Sequence, residues 1–338
     1  MKKYLLSLFA FCCTLGMFAQ ESETAPSPWS CTGVLGLNAS ATGLVNWSAG
    51  GNNSVNGVAF GKVRLLYNEN DLSWESNLNL EYGLSYIDQK FDPFQKSSDV
   101  IDFSTKFGWQ FHKAWYLTAA AGFKSQMAFG RAYDGTEAAD PIISSFLSPS
   151  YTNISVGIDW KPNSIFSLYL SPVAGQITTA YIGEALETAN PGLREQMQDK
   201  YGTWAYSKVA NADGTYNKLY KNAKAELGLN FKGAINYTYK DLKIITTLGL
   251  FTPYAWDKTK MYDAEDNFIG YRDNNRRFGN FDVDWDAAIS YQFLKCLNVT
   301  LSTSLKYYNG VKVANKEGVL AERVQFKSIL GLGVGYSF

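Results

Sequence analysis

Beyond residue 19 the chain lacks any run approaching the roughly 18 uninterrupted apolar residues that a membrane-spanning helix requires. If the mature protein crosses a bilayer, it must do so as strands. Charge of one sign is also missing: 31 basic residues stand against 31 acidic ones, a net charge of +0 that gives no reason to expect nucleic acid. Proline is scarce, with 9 in 338 residues, and this leaves long stretches free to pair as sheet. Of the 4 cysteines, Cys12 and Cys13 fall in the N-terminal leader, so only Cys31 and Cys296 would face an oxidising compartment. Both are expected near one rim, on strands that closure leaves two apart, or about 10 Å. That exceeds the ~7 Å limit for a disulfide unless Cys31 sits in a flexible lead-in, so a pair and two idle thiols both stay open.

What is present begins with a leader. Lys2 and Lys3 precede the apolar run Tyr4 to Phe18, and Met17-Phe18-Ala19 before Gln20 offers a cleavage site. The run is too short to span a membrane. Phe9-Ala10-Phe11 before Cys12 is a poor lipoprotein box, so export without a lipid anchor is expected. Residues 1–19 then read as a signal peptide, 20–30 as a polar tether and 31–338 as the folded unit.

The rest is organised around its last stretch. In Val324 to Phe338, Phe326, Leu330, Leu332, Val334, Tyr336 and Phe338 share one parity while Gln325, Lys327, Gly331, Gly333, Gly335 and Ser337 share the other. Period two means a strand with one apolar face. The pattern recurs along the chain, predicting about twelve strands whose connections alternate between tight turns and long loops. Tight turns fall at Asn68 to Asp71, His112-Lys113, Lys161 to Ser164, Lys240-Asp241 and Leu294 to Cys296. The longest loop, Gly183 to Lys221, carries a predicted helix over Pro191 to Lys200, with Pro near its first turn.

Alternation alone fits a soluble sandwich as well. Three features favour a closed antiparallel transmembrane barrel. Aromatic residues of the apolar parity crowd the tight turns, among them Tyr67, Trp74, Trp109, Trp115, Trp160, Tyr237 and Tyr291, as a bilayer interface selects. Many runs exceed the ~9 to 11 residues that a tilted membrane strand needs. The opposite faces are rich in Gly, Ser, Asn and Thr with interspersed charge, as a lumen would be. Tight turns are then periplasmic and long loops extracellular, in a bacterial outer membrane whose lipid is the first partner.

Asn46-Trp47-Ser48-Ala49-Gly50-Gly51-Asn52-Asn53-Ser54, the segment Leu147-Ser148-Pro149-Ser150-Tyr151-Thr152-Asn153-Ile154-Ser155-Val156-Gly157-Ile158-Asp159-Trp160 and Leu170-Ser171-Pro172 carry a resemblance. The chain resembles an uncharacterised outer-membrane barrel family of Bacteroidota, known as a domain of unknown function. That likeness implies fold and location and brings no activity. The final strand likewise resembles the closing strand of outer-membrane barrels, which implies recognition of Tyr336 and Phe338 by the insertion machinery.

Chemistry is sparse. Asp282, Asp284 and Asp286 alternate on one strand, so all three carboxylates point into the lumen. Pairing Phe293 with Leu297 sets Asp284 opposite Lys306 and Asp286 opposite Ser304; similar counting sets Arg64 across from Glu75 and Asp102 across from Lys124. Such pairs suggest a self-neutralised lumen more than a strongly ion-selective one. With Glu226 these residues form a candidate solute path. Asn46, Trp47, Gly50 and Gly51 could fold inward as a constriction, because adjacent glycines let backbone approach closely; a plain hairpin connection is the alternative.

His112, the single histidine, falls in a predicted tight turn, away from where a Ser-His or Asp-His site would meet its substrate, so no enzyme is expected. Asp263 to Gly270 departs from a calcium loop in the place of its glycine and lacks the closing Glu. The Asn-x-Ser/Thr matches at Asn46, Asn52, Asn153 and Asn298 are short enough to arise by chance. Neither cofactor nor metal is implied. Two functions fit: a channel or passive transporter for small solutes, or an accessory barrel with a plugged lumen whose loops Gly183 to Lys221 and Asp257 to Arg277 bind a partner.

Overall fold

The computed structural model describes residues 27–42, 54–133, 141–207, 211–254, 258–263, 265–273, 277–294, 297–309, 311–314 and 319–337. The expected leader, Asn46, Trp47, Gly50, Gly51, Cys296 and Phe338 lie outside them, as does most of the expected tether.

Twelve antiparallel strands close into one barrel, each hydrogen-bonded to its sequence neighbours and the last to the first. They are β1 (Trp29–Thr42), β2 (Ser54–Glu69), β3 (Leu72–Ile87), β4 (Phe94–His112), β5 (Trp115–Ser125) and β6 (Ser150–Trp160). The second half comprises β7 (Phe166–Thr179), β8 (Ala223–Tyr239), β9 (Leu242–Pro253), β10 (Asp282–Leu294), β11 (Leu297–Tyr307) and β12 (Gln325–Ser337). Closure leaves no unpaired edge, as a hydrocarbon surrounding demands. The seam runs from Val34 opposite Ser337 to Ala39 opposite Leu332. There Gly333 makes room for Asn38 and Asn298 from its two neighbours, whose Oδ1 atoms would stand 2.3 and 2.8 Å from an added Cβ.

The structure shifts several expected boundaries. The barrel starts at Trp29, two residues inside the expected tether, because Trp29 pairs with Tyr67 and packs on Trp74. Phe129 lies beyond the end of β5 and Phe281 precedes β10. Phe293 does not oppose Leu297; a bulge at Phe293 leaves Leu294 there instead, though Asp284 still opposes Lys306. Arg64 opposes Asn77 rather than Glu75, because the turn after β2 contains only Asn70 and Asp71, with Asn70 at φ 52°, and so pairs Glu69 with Leu72.

The apolar parity faces outward. Trp74, Leu78, Leu80, Tyr82, Leu84 and Tyr86 along β3 are all exposed, and every barrel strand through β12 shows exposed large apolar side chains. The compact apolar core sits in the long-loop end instead. Helices α1 (Glu184–Ala189) and α2 (Leu193–Lys200) lie in the β7–β8 connection. They bring Leu193 and Met197 against Ile142, Ala180 and Ile182. The expected helix over Pro191 to Lys200 is shorter: Pro191 lies outside it, because Gly192, at φ 85°, caps its start.

Candidate functional site: a pinched, charged lumen

Inward parity gathers charged side chains inside the barrel, interspersed with small and apolar residues. Glu75, Asp102, Lys106, Lys124, Lys161, Lys232, Asp282, Asp284 and Asp286 are among the residues around a cavity of ≈ 500 Å³. A second, of ≈ 30 Å³, lies between Tyr151, Tyr201, Glu226, Asp282 and Tyr308, with room for about one or two waters.

Asp284 is the hub. Its carboxylate meets Lys306 on the adjacent strand at 3.4 Å and Lys124 at 3.2 Å, and accepts a hydrogen bond from Tyr308 Oη at 3.1 Å. Lys124 also reaches Asp102 at 3.6 Å. In the ring of twelve, β5 and β10 stand five places apart, so the Lys124–Asp284 contact crosses the lumen. A round barrel of this strand number, at ~4.8 Å spacing and ~40° tilt, would be about 24 Å across. One lysine and one aspartate cannot bridge that width, so the cross-section is flattened here. Tyr151 of β6 stacks on Tyr308 beyond β11, with centroids 5.4 Å apart, and crosses the same gap.

The other expected lumen residues are placed around this pinch. Asp286 accepts from Ser304 at 2.5 Å, as the register implied. Asp282 accepts from Gln176 at 3.4 Å and from the Asn309 amide at 2.8 Å. Arg64 and Glu75 still form an ion pair at 2.8 Å despite the shifted register, because the long guanidinium reaches diagonally. Glu226 pairs with Lys224 at 3.3 Å at the long-loop end, away from Arg64 and Glu75.

Toward the tight turns lies a second cluster that the sequence reading missed. Asp159, with no exposed side-chain surface, takes Lys106 at 2.6 Å and Lys161 at 3.3 Å. Lys106 also lies over the Tyr169 ring and Lys161 over Tyr116. Parity alone signals that Lys106 and Asp159 point inward; their meeting across two strand widths is set by the barrel's shape.

The long loops lid the far mouth. Asp199 on α2 binds Lys218 and, at 3.5 Å, Lys312 from the β11–β12 connection. Burial alone would raise the Asp199 pKa, but these two cations outweigh it and hold the carboxyl below its usual range. Lys200 Nζ and Tyr201 Oη each donate to Ile143 O at 3.0 Å. Desolvation pushes the Tyr201 and Tyr308 phenols up and the Lys200 ammonium down.

His112 ends β4 opposite Trp115, exposed at the tight-turn rim. Asp263 is occupied by its own loop, accepting from the Glu265 and Asn267 amides and from the Asn267 side chain. Cys31 is exposed and carries a free thiol.

Residues 39–130 match the model of a family described as a protein of unknown function (DUF3078). That span contains the Asn46 to Ser54 stretch and excludes Leu147 to Trp160. No curated protein matches the chain. Among solved structures it is similar to the COG4313 outer membrane channel from Pseudomonas putida F1, at 8% identity and TM-score 0.37, covering 95% of this chain and 100% of that one. It is also similar to the translocator domain of autotransporter NalP from Neisseria meningitidis, at 10% identity and TM-score 0.35, covering 100% and 96%. The NanC porin aligns at 8% identity and TM-score 0.34, over 90% and 97%.

Proposed function

We propose that this chain is an outer-membrane barrel that passes small polar solutes through a charged constriction formed by Lys124 and Asp284. One observation carries the reading: the lumen is pinched by side chains from opposite walls and opens beside them into a cavity of ≈ 500 Å³ whose lining includes charged side chains. Rotamer changes move such a barrier, whereas a backbone plug would have to be extracted. The location rests on the outward apolar faces together with the leader expected at residues 1–19, and insertion would read the closing strand β12. Asp282, Asp284, Asp286, Lys306, Arg64, Glu75, Asp102, Lys124 and Glu226 line or flank the path in this proposal.

Single-channel recording in planar bilayers tests it. The wild type should give a small, measurable conductance, and Lys124→Ala should raise it severalfold. Converting Asp282, Asp284 and Asp286 to Asn should lower cation preference. A wild type and a Lys124→Ala variant that are both silent would overturn the reading and favour an accessory barrel. The lid tied by Asp199 to Lys218 and Lys312 is the feature that speaks for that second role.

A further inference from the structure

Below the pinch the wall gathers more ammonium groups than carboxylates. Tyr169 is registered opposite Lys232 on one side and Asp159 on the other. Lys106 Nζ stands 4.7 Å from the Tyr169 ring centroid. Asp159 is the single carboxylate that pairs with both Lys106 and Lys161 among the described residues. The nearby Glu75 is already engaged by Arg64.

Lys232 adds a third cation. It has no hydrogen bond or ion pair among the described residues, and Asp102, Asp284 and Glu75 act on it only through their fields. Lys106 is in turn close enough to feel both Lys161 and Lys232 as like charges. All three lysines line the ≈ 500 Å³ cavity. The Lys232 side chain is exposed on the cavity wall, so its ammonium is open to a solute and not taken up by a carboxylate of the wall.

We infer that this cluster is a subsite for an oxyanion, in which a carboxylate or phosphate group of a small solute docks on Lys232 and is flanked by Lys161 and Lys106. The ammonium groups supply charge-assisted hydrogen bonds, and the Tyr169 ring, which lines the same cavity, walls the site. The assignment names the solute class of the passage proposed above and rests on that reading for its transport meaning; binding itself needs no conduction.

Calorimetric titration of the detergent-solubilised full chain, with inorganic phosphate and with succinate in separate runs over a chloride background, provides the test. At least one should bind near one-to-one, weaken tenfold or more in Lys232→Ala, and recover in Lys232→Arg. Lys232 contributes no ion pair, so its removal leaves the wall's own pairs intact. Phosphate binding alone would assign phosphorylated solutes, and succinate binding alone would assign carboxylates. Binding of neither by the wild type, or equal binding by wild type and Lys232→Ala, would overturn the subsite. A barrel that conducts yet binds neither retains the passage and loses the subsite; one that binds yet stays silent does the reverse.

Discussion

Gly157 sits where two neighbouring strands fall out of step. Val156 opposes Val173 and Ile158 opposes Leu170, so Gly157 alone faces Ser171 and Pro172. Pro172 has no amide to give to the ladder, and a bulge is where an interior strand tolerates that loss. The Ser171 hydroxyl lies 2.8 Å from Val156 O and 2.9 Å from Val173 O and can donate to either. A Cβ on Gly157 would come within 2.2 Å of Leu170 O and 2.6 Å of Ser171 Cα, backbone atoms that cannot rotate away. Gly157→Ala should therefore destabilise the barrel by about 1–3 kcal/mol, the usual cost of forcing atoms into filled space. Gly57→Ala is the control, since an added Cβ there meets nothing within 4 Å. A thermal midpoint equal in the two variants would show that the bulge relaxes freely. Two of the three segments quoted for the resemblance in the sequence, Leu147 to Trp160 and Leu170 to Pro172, thus meet at this bulge.

At the scale of elements, α2 is held over the mouth by Asp199 and its two lysines. The folded carboxyl titrates below its ordinary value of 3.8. The tie is therefore complete above that value and is lost as pH falls through the depressed one. In Asp199→Asn the tie is gone at every pH. Amide exchange over 193–200 should be faster in the variant than in the wild type near pH 6, and the gap should close as the pH falls through the depressed value. Equal protection of the two proteins near neutrality would mean that the apolar contacts of Leu193 and Met197 hold the helix without help.

Strands and turns are legible in the sequence because their determinants are local. Parity marks the faces, and the Lys240-Asp241 turn fixes the pairing of Tyr239 with Leu242. The Arg64 register slipped by two because it depends on how many residues Asn70's left-handed conformation leaves in one turn. Lys124 and Asp284, 160 positions apart, could not be joined by counting, since their contact depends on how the closed ring flattens.

The whole molecule carries two aromatic belts. At the tight turns Trp29, Tyr67 and Trp74 touch, as do Trp115, Trp160 and Phe166. At the other end Tyr86 meets Phe94 at 5.1 Å and Tyr254 meets Phe278 at 6.0 Å. Along β3, Trp74 and Tyr86 are twelve positions apart; at ~3.3 Å per residue and ~40° tilt that is about 30 Å of height, the thickness of a bilayer's hydrocarbon. Leu80 lies midway, 38% exposed and facing outward. If water covered that face, Leu80→Arg would change stability by no more than about 0.5 kcal/mol, as surface substitutions do. In lipid the same change places a guanidinium at mid-depth and should cost about 2–4 kcal/mol. Reversible unfolding of both proteins in phospholipid vesicles measures the difference, and Arg64, inside the lumen beside Glu75, shows that the barrel accepts arginine where a counter-charge exists. A near-zero cost for Leu80→Arg would place water on that face and leave the outward belts without a bilayer to explain them.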